Sequence, residues 1–240
     1  MAEQKNPIIK GNISAILEEM ILSNYQEHNM IIYPNKSVFR NICSEYCKGL
    51  FLEKNSFDNQ KNKNDMDEIV LLLPFYDTVN GIRYALKRKA GINVEKYEKE
   101  GSIVIVDSLK AYSSFSPSSS VLKPSSPPSS PASNYTKYYY ILHLFRSLLE
   151  RANHLGKRGI AVIADMGPFY LLDKVDELVR YETSFLSKTD CIKCKAFCSY
   201  HKDNFHMLSL EQRERLLEHH YRNLIIDNNS GANNDYNRWF

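Results

Sequence analysis

The sequence lacks any apolar run long enough to cross a membrane. The longest runs, such as residues 69–76, are far shorter than the roughly 20 residues that a spanning helix requires. The first twelve residues also lack the apolar core of a signal peptide. We therefore expect a cytoplasmic protein without a membrane partner.

The net charge of the chain is also small. The 31 lysines and arginines exceed the 28 acidic residues by only three in 240 residues. So small an excess does not favour nucleic acid or an anionic membrane as a partner. The basic run at 87–89 is better explained as the solvated face of a helix. We do not expect direct binding of nucleic acid.

Several catalytic motifs are missing. The sequence has no G-x-S-x-G nucleophile elbow, no H-E-x-x-H zinc motif and no glycine-rich dinucleotide turn. The seven histidines are scattered, and we interpret His143, His219 and His220 as surface or interface residues rather than catalysts. Glu182 could pair with an arginine on the side that faces the sheet.

The cysteines do not indicate a disulfide framework. Five is an odd number, and free thiols are expected in a cytoplasmic chain. Cys191, Cys194 and Cys198, with His201 and His206 nearby, could form a metal site, although zinc ligands usually come in two pairs on turns. Cys194 and Cys198 would share one face of an apolar strand as small buried side chains. A thiol- or metal-based redox sensor therefore stays open as an alternative.

Strand and helix patterns alternate along the chain. The strand patterns are short, β-branched and apolar throughout, which is typical of strands that are buried on both faces of a parallel sheet. Helical spacing of apolar residues separates them. We therefore predict an α/β fold with a mostly parallel sheet and helices on both faces. The predicted strands cover residues 30–33, 68–75, 102–107, 159–164 and 193–200.

Helix boundaries follow from capping residues. Ser37 and Thr78 are predicted to cap the helices that follow the first two strands. Ser209 and Gln212 form a capping box, and the helix they begin is predicted to extend at least to His220.

Composition divides the chain into three parts. Residues 1–27 are predicted to be an N-terminal helical extension, with a helix over 13–24, and residues 28–226 a single domain. Residues 227–240 form a polar tail. Within the domain, residues 113–133 contain eleven serines and five prolines, so we expect a disordered insertion that can be deleted.

The first strand is followed by a loop that can be compared with a phosphate-binding loop. That loop reads G-x-x-x-x-G-K-[ST], and its glycines let backbone N–H groups surround phosphate. Aligned on Lys36 and Ser37, this sequence has Met30 and Asn35 in place of the two glycines, and Pro34 removes one N–H group. The simpler interpretation is a turn at Asn35 and Lys36 followed by a helix. We expect no tightly bound cofactor, although Lys36 could weakly attract a nucleotide or phosphorylated metabolite.

Other strand ends add candidate ligand residues. Asp165 follows the apolar run 160–164, in the place of a Walker B aspartate, and Asp107 is its rival after 103–106. Either residue could equally serve in a turn or as a helix cap. In a parallel sheet, ligands bind at the carboxyl ends of the strands. The predicted ligand site therefore consists of Tyr33, Asn35, Lys36, Ser37, Tyr76, Asp107 and Asp165.

The order of several short motifs resembles a known family. The motifs are the run from His28 to Tyr33, a helix that closes on Gly49-Leu50, Tyr181-Glu182, the run 197–200, and a late helix with residues 218–220. Together they resemble the MEDS family, the methanogen/methylotroph DcmR-type sensory domain. The resemblance implies a RecA/KaiC-like fold with a degenerate phosphate-binding loop and a sensing role in signal transduction or transcriptional control.

We therefore interpret the chain as a non-enzymatic sensory or regulatory domain. It would bind a small ligand or a protein partner such as a kinase or a transcription regulator. The first alternative is a divergent KaiC-like ATPase or nucleotide-binding protein that uses Lys36, Ser37 and Asp165. The second is the redox sensor that uses Cys191, Cys194 and Cys198.

Overall fold

The computed structural model describes residues 6–52, 68–112, 139–189 and 193–227. Seven strands within these ranges form one sheet in which every pairing is parallel, in the order β1-β7-β2-β6-β5-β3-β4. The strands are β1 (Ile8–Gly11), β2 (His28–Tyr33), β3 (Glu68–Leu73), β4 (Ile103–Ile105), β5 (Gly159–Asp165), β6 (Cys194–His201) and β7 (Asn223–Ile226).

Ten helices lie within the described ranges and connect the strands. They are α1 (Ile13–Leu22), α2 (Lys36–Phe51), α3 (Val79–Arg88), α4 (Val94–Glu100), α5 (Ser108–Tyr112), α6 (Tyr139–His154), α7 (Gly167–Leu171), α8 (Val175–Thr189), α9 (Lys202–Met207) and α10 (Leu210–His219). None of them is long and apolar enough to cross a membrane.

The sheet separates two apolar cores. Successive side chains of a strand point to opposite faces, so Met30 belongs to one core and its neighbour Ile31 to the other. Helices α5 to α10 cover the Met30 face, and helices α1 to α4 cover the Ile31 face. The predicted fold class, a parallel α/β sheet with helices on both sides, is confirmed.

Two short strands were not predicted. The last helix ends at His219, before the predicted boundary, and residues 223–226 form β7, which pairs with both β1 and β2. All four residues of β7 are buried, since the strand fills the gap between its two neighbours. The N-terminal residues predicted as a helical extension contain β1 as well as α1, whose Ile16 and Met20 are buried in the core.

The caps agree with the sequence at two helices and differ at a third. Thr78 caps α3, and Ser209 with Gln212 forms the predicted capping box of α10. Helix α2, however, is capped by Asn35 and not by Ser37, because the extended backbone of Asn35 lets its side chain reach the first free N–H groups. The predicted Ser/Pro-rich insertion at 113–133 and all of the predicted tail except residue 227 lie outside the described residues.

Candidate functional site

Two of the predicted ligand residues meet at the carboxyl edge of the sheet. Tyr33 ends β2, Asp165 ends β5, and both side chains point to the face that α2 covers. The Tyr33 hydroxyl donates a hydrogen bond to Oδ2 of Asp165 at 2.7 Å, and the Gly167 N–H donates to Oδ1 at 2.9 Å. Burial raises the pKa of Asp165 to about 6, although these hydrogen bonds favour its ionised form. Both oxygens of the Asp165 carboxylate therefore already accept hydrogen bonds from groups of the same chain.

The backbone N–H groups of the loop after β2 are likewise hydrogen-bonded within the chain. Oδ1 of Asn35 accepts hydrogen bonds from the N–H groups of Ser37 at 3.0 Å and Val38 at 3.1 Å. These are N–H groups that a helix N-terminus would otherwise offer to phosphate. Lys36 and Ser37 are exposed on the first turn of α2. A cavity beside Tyr33 and Lys202 has a volume of about 20 Å³, which is room for one water molecule.

The remaining two predicted residues have separate roles at this edge. The Tyr76 hydroxyl accepts a hydrogen bond from the Asn204 side chain at 2.6 Å, and its ring lies 5.1 Å from that of His201. The His201 ring also contacts Tyr33 at 5.5 Å, so His201 links the two tyrosines. Asp107 is exposed and accepts a hydrogen bond from the N–H of Lys110 at 3.0 Å, so it caps α5.

A second group of chemically active side chains lies on the other face of the sheet. His28 begins β2, Cys198 lies in β6, Glu182 lies in α8, and His220 follows α10. Each offers one potential metal-binding atom, and these atoms all lie within 4.8 Å of one another. The four residues are at most 4% exposed. We refer to His28, Glu182, Cys198 and His220 as the buried cluster.

Glu182 is the centre of the buried cluster. Its Oε2 lies 2.8 Å from Nε2 of His28 and 3.4 Å from Nε2 of His220. Its Oε1 accepts a hydrogen bond from the Tyr200 hydroxyl at 3.0 Å. Nε2 of His28 is also 3.1 Å from Sγ of Cys198. Every member of the cluster is thus within contact distance of at least one other.

The protonation states follow from burial and from these contacts. Burial would raise the pKa of Glu182, but the two histidines outweigh it and hold that pKa below its usual range. Burial lowers the pKa of His28, and His220 adds to the effect. Burial, with Glu182 nearby, raises the pKa of Cys198 well above its usual value. The cluster therefore holds a carboxylate beside a neutral His28 and a neutral thiol.

His220 is held in one ring orientation. Its Nδ1 lies 2.6 Å from the Leu216 carbonyl oxygen, and since a carbonyl only accepts, Nδ1 must carry the hydrogen. Its other nitrogen, Nε2, lies 3.4 Å from Oε2 of Glu182. Within the described residues, neither Nε2 of His220 nor Oε2 of Glu182 makes a hydrogen bond.

The buried cluster corrects three expectations. Glu182 contacts two histidines, where the sequence predicted an arginine. His220 is fully buried and not a surface residue. Cys198 joins histidine and glutamate, whereas Cys194 is buried outside the cluster and Cys191 lies outside the described residues.

The residues that carry the MEDS resemblance contribute all four members of the buried cluster. His28, Glu182, Cys198 and His220 come from four separate motifs, and Tyr200 adds a hydrogen bond. The chain matches none of the known family models and none of the curated proteins with which it was compared.

Proposed function

We propose that this chain is a sensory or regulatory domain that acts in signal transduction or transcriptional control. It would bind a small ligand or a protein partner such as a kinase or a transcription regulator, and it would not turn over nucleotide. The MEDS resemblance and the parallel α/β fold support this proposal. A RecA/KaiC-like ancestry with a degenerate phosphate-binding loop belongs to the same proposal.

One observation carries the non-enzymatic part. Phosphoryl transfer depends on backbone N–H groups and a metal-holding aspartate that are free to contact the phosphates. In this chain, Asn35 accepts from two of those N–H groups, and Tyr33 and Gly167 donate to Asp165. A nucleotide would have to break these internal hydrogen bonds before it could bind in a productive position.

A phosphate-release assay with Mg²⁺ and ATP tests this proposal. We expect background release from the wild-type chain and the same release from Lys36→Ala, which removes the exposed cation of the loop. Turnover that disappears in Lys36→Ala would overturn the proposal in favour of the ATPase alternative. A thermal shift with ATP, with and without Mg²⁺, would show weak binding of nucleotide separately from hydrolysis.

Native mass spectrometry of the purified protein tests the sensory part. A mass above that of the chain, lost on denaturation, would identify a retained ligand or partner. The subunit count follows from the same spectrum. A spectrum that shows the mass of the chain alone would leave the regulatory proposal without support.

A further inference from the structure

We propose that the buried cluster of His28, Glu182, Cys198 and His220 binds one divalent transition-metal ion of the zinc type. This site goes beyond the proposed regulatory function and does not depend on it. It also differs from the site around Cys191, Cys194 and Cys198 that the sequence suggested, because Cys198 is its single cysteine.

The orientation of His220 is the first argument. Histidines that bind metals usually donate their other ring N–H to a carbonyl or carboxylate, which fixes the ring and aims the free nitrogen at the ion. His220 does this through Nδ1 and Leu216, and its Nε2 points into the cluster. Nε2 of His220 and Oε2 of Glu182 are buried 3.4 Å apart, and neither atom makes a hydrogen bond within the described residues. A cation bound between them would give both buried atoms a partner.

Charge is the second argument. Glu182 is fully buried, and the groups that pair with it, His28 and His220, are buried too, whereas buried carboxylates are usually paired or bound to a metal. A divalent ion bound to the Glu182 carboxylate and a Cys198 thiolate would sum to zero charge. Binding converts the Cys198 thiol into a thiolate–metal bond and releases one proton to solvent. No other reactant is needed.

Geometry and ligand type are the third argument. Tetrahedral zinc with nitrogen, oxygen and sulfur ligands at about 2.0–2.3 Å has ligand atoms about 3.3–3.6 Å apart. Three separations in the cluster lie close to this range: 2.8 Å from His28 to Glu182, 3.1 Å from His28 to Cys198 and 3.4 Å from His220 to Glu182. All four ligand atoms lie within 4.8 Å of one another, so side-chain shifts of about 1 Å would complete the site. Magnesium and calcium prefer oxygen ligands alone, and imidazole with thiolate selects against them. Four protein ligands fill a tetrahedron, which is typical of a structural or sensing site.

Cobalt substitution tests the proposal on the full chain. Protein purified under reducing, oxygen-free conditions and treated with a chelator would be titrated with Co²⁺ and then with Zn²⁺. We expect one equivalent of Co²⁺, with the visible bands of tetrahedral cobalt and a thiolate charge-transfer band, and complete displacement by Zn²⁺. A folded wild-type chain that binds no equivalent would overturn the proposal.

Two matched cysteine variants locate the sulfur ligand. Cys194 and Cys198 lie in the same strand, belong to the same core and are both buried. Cys198→Ser should abolish the charge-transfer band, and Cys194→Ser should keep it. His220→Ala should weaken Co²⁺ binding by about 100-fold or more, beyond the loss usual for an outer-shell residue. A band that survives in Cys198→Ser, or that disappears in Cys194→Ser instead, would contradict the assignment.

X-ray absorption of the zinc-loaded wild-type chain keeps the test decisive if a variant does not fold. The proposed site predicts one sulfur and three nitrogen or oxygen neighbours. Two or more sulfur neighbours would indicate a cysteine-rich site and overturn this one.

Discussion

Tyr33 donates its hydroxyl hydrogen to a carboxylate that has no exposed surface. Removing the donor in Tyr33→Phe leaves Asp165 with one fewer partner in the core. We expect the free energy of unfolding at pH 7 to fall by about 1–3 kcal/mol, the usual range for a lost hydrogen bond to a buried charged group. Urea denaturation of both proteins measures this difference.

Tyr76→Phe is the matched control for Tyr33→Phe. The Tyr76 hydroxyl contacts the neutral Asn204 side chain, and the Tyr76 residue is 39% exposed. Water can replace the lost partner there, so the cost should be smaller than about 1 kcal/mol. Equal losses in the two variants would mean that the Tyr33–Asp165 contact stabilises the fold no more than the exposed, neutral Tyr76–Asn204 contact does.

Asp165 also makes the free energy of unfolding depend on pH, and it should stabilise the folded state at lower pH, unlike an aspartate with a lowered pKa. Burial raises its pKa to about 6, whereas the unfolded value is about 3.9, so the folded state binds the proton more tightly. The free energy of unfolding should therefore rise as the pH falls from about 6 to about 4, by at most about 3 kcal/mol relative to Asp165→Asn.

The comparison with Asp165→Asn isolates this contribution. The lowered pKa values of His28 and Glu182 act in the opposite direction, but they are common to both proteins and cancel in the difference. Urea titrations at pH 4, 5, 6 and 7 measure it. Parallel stability curves for the two proteins would exclude a raised Asp165 pKa.

Helix α2 depends on its N-cap residue, Asn35, which directly precedes its first residue. Asn35 accepts from two N–H groups, so Asn35→Ala leaves both without a side-chain partner and should cost about 1 kcal/mol of unfolding free energy. Asn35→Asp keeps the acceptor oxygen and adds a negative charge at the positive helix end, so it should retain full stability. Thermal unfolding distinguishes the two variants, and equal behaviour would contradict the capping role.

The elements that could be predicted from sequence are those with a long and unbroken pattern. Strands β2, β3 and β5 are buried at every position, and their apolar runs identify them directly. Strands β1 and β7 have four residues each, too few for a period to show. The helical pattern of α10 continued smoothly towards β7, so the break at His220 left no local signal.

The two candidate sites also differ in how far the sequence could predict them. The residues at the strand ends, such as Tyr33 and Asp165, could be identified because the carboxyl edge of a parallel sheet is a known location for ligands. The buried cluster joins residues up to 192 positions apart, from His28 to His220, and no spacing rule brings them together. One signal was available: Glu182 follows the buried Leu178 by four residues, which places a carboxylate on the inner face of α8.

For the whole molecule, a metal in the buried cluster would be part of the folding free energy. A free ion at 100 times its dissociation constant stabilises the folded state by about 2.7 kcal/mol. For a domain of this size, that raises the melting temperature by about 5–10 °C. Calorimetry with added Zn²⁺, then with excess chelator, should show the rise and its reversal. His220→Ala should show neither, and a rise that persists in this variant would place the binding elsewhere.

The order of the strands also constrains how the chain is completed during translation. Strand β2 emerges from the ribosome early, yet both of its neighbours, β6 and β7, come from residues 194–226. Strands β3, β4 and β5 can pair once residue 165 has been made. In the nascent chain, β3, β4 and β5 should therefore be paired while the strand at 28–33 is still unpaired and exposed to chaperones or to other chains. Hydrogen-exchange labelling during refolding should protect the amides of β3 and β5 before those of β2, since distant pairings form slowly.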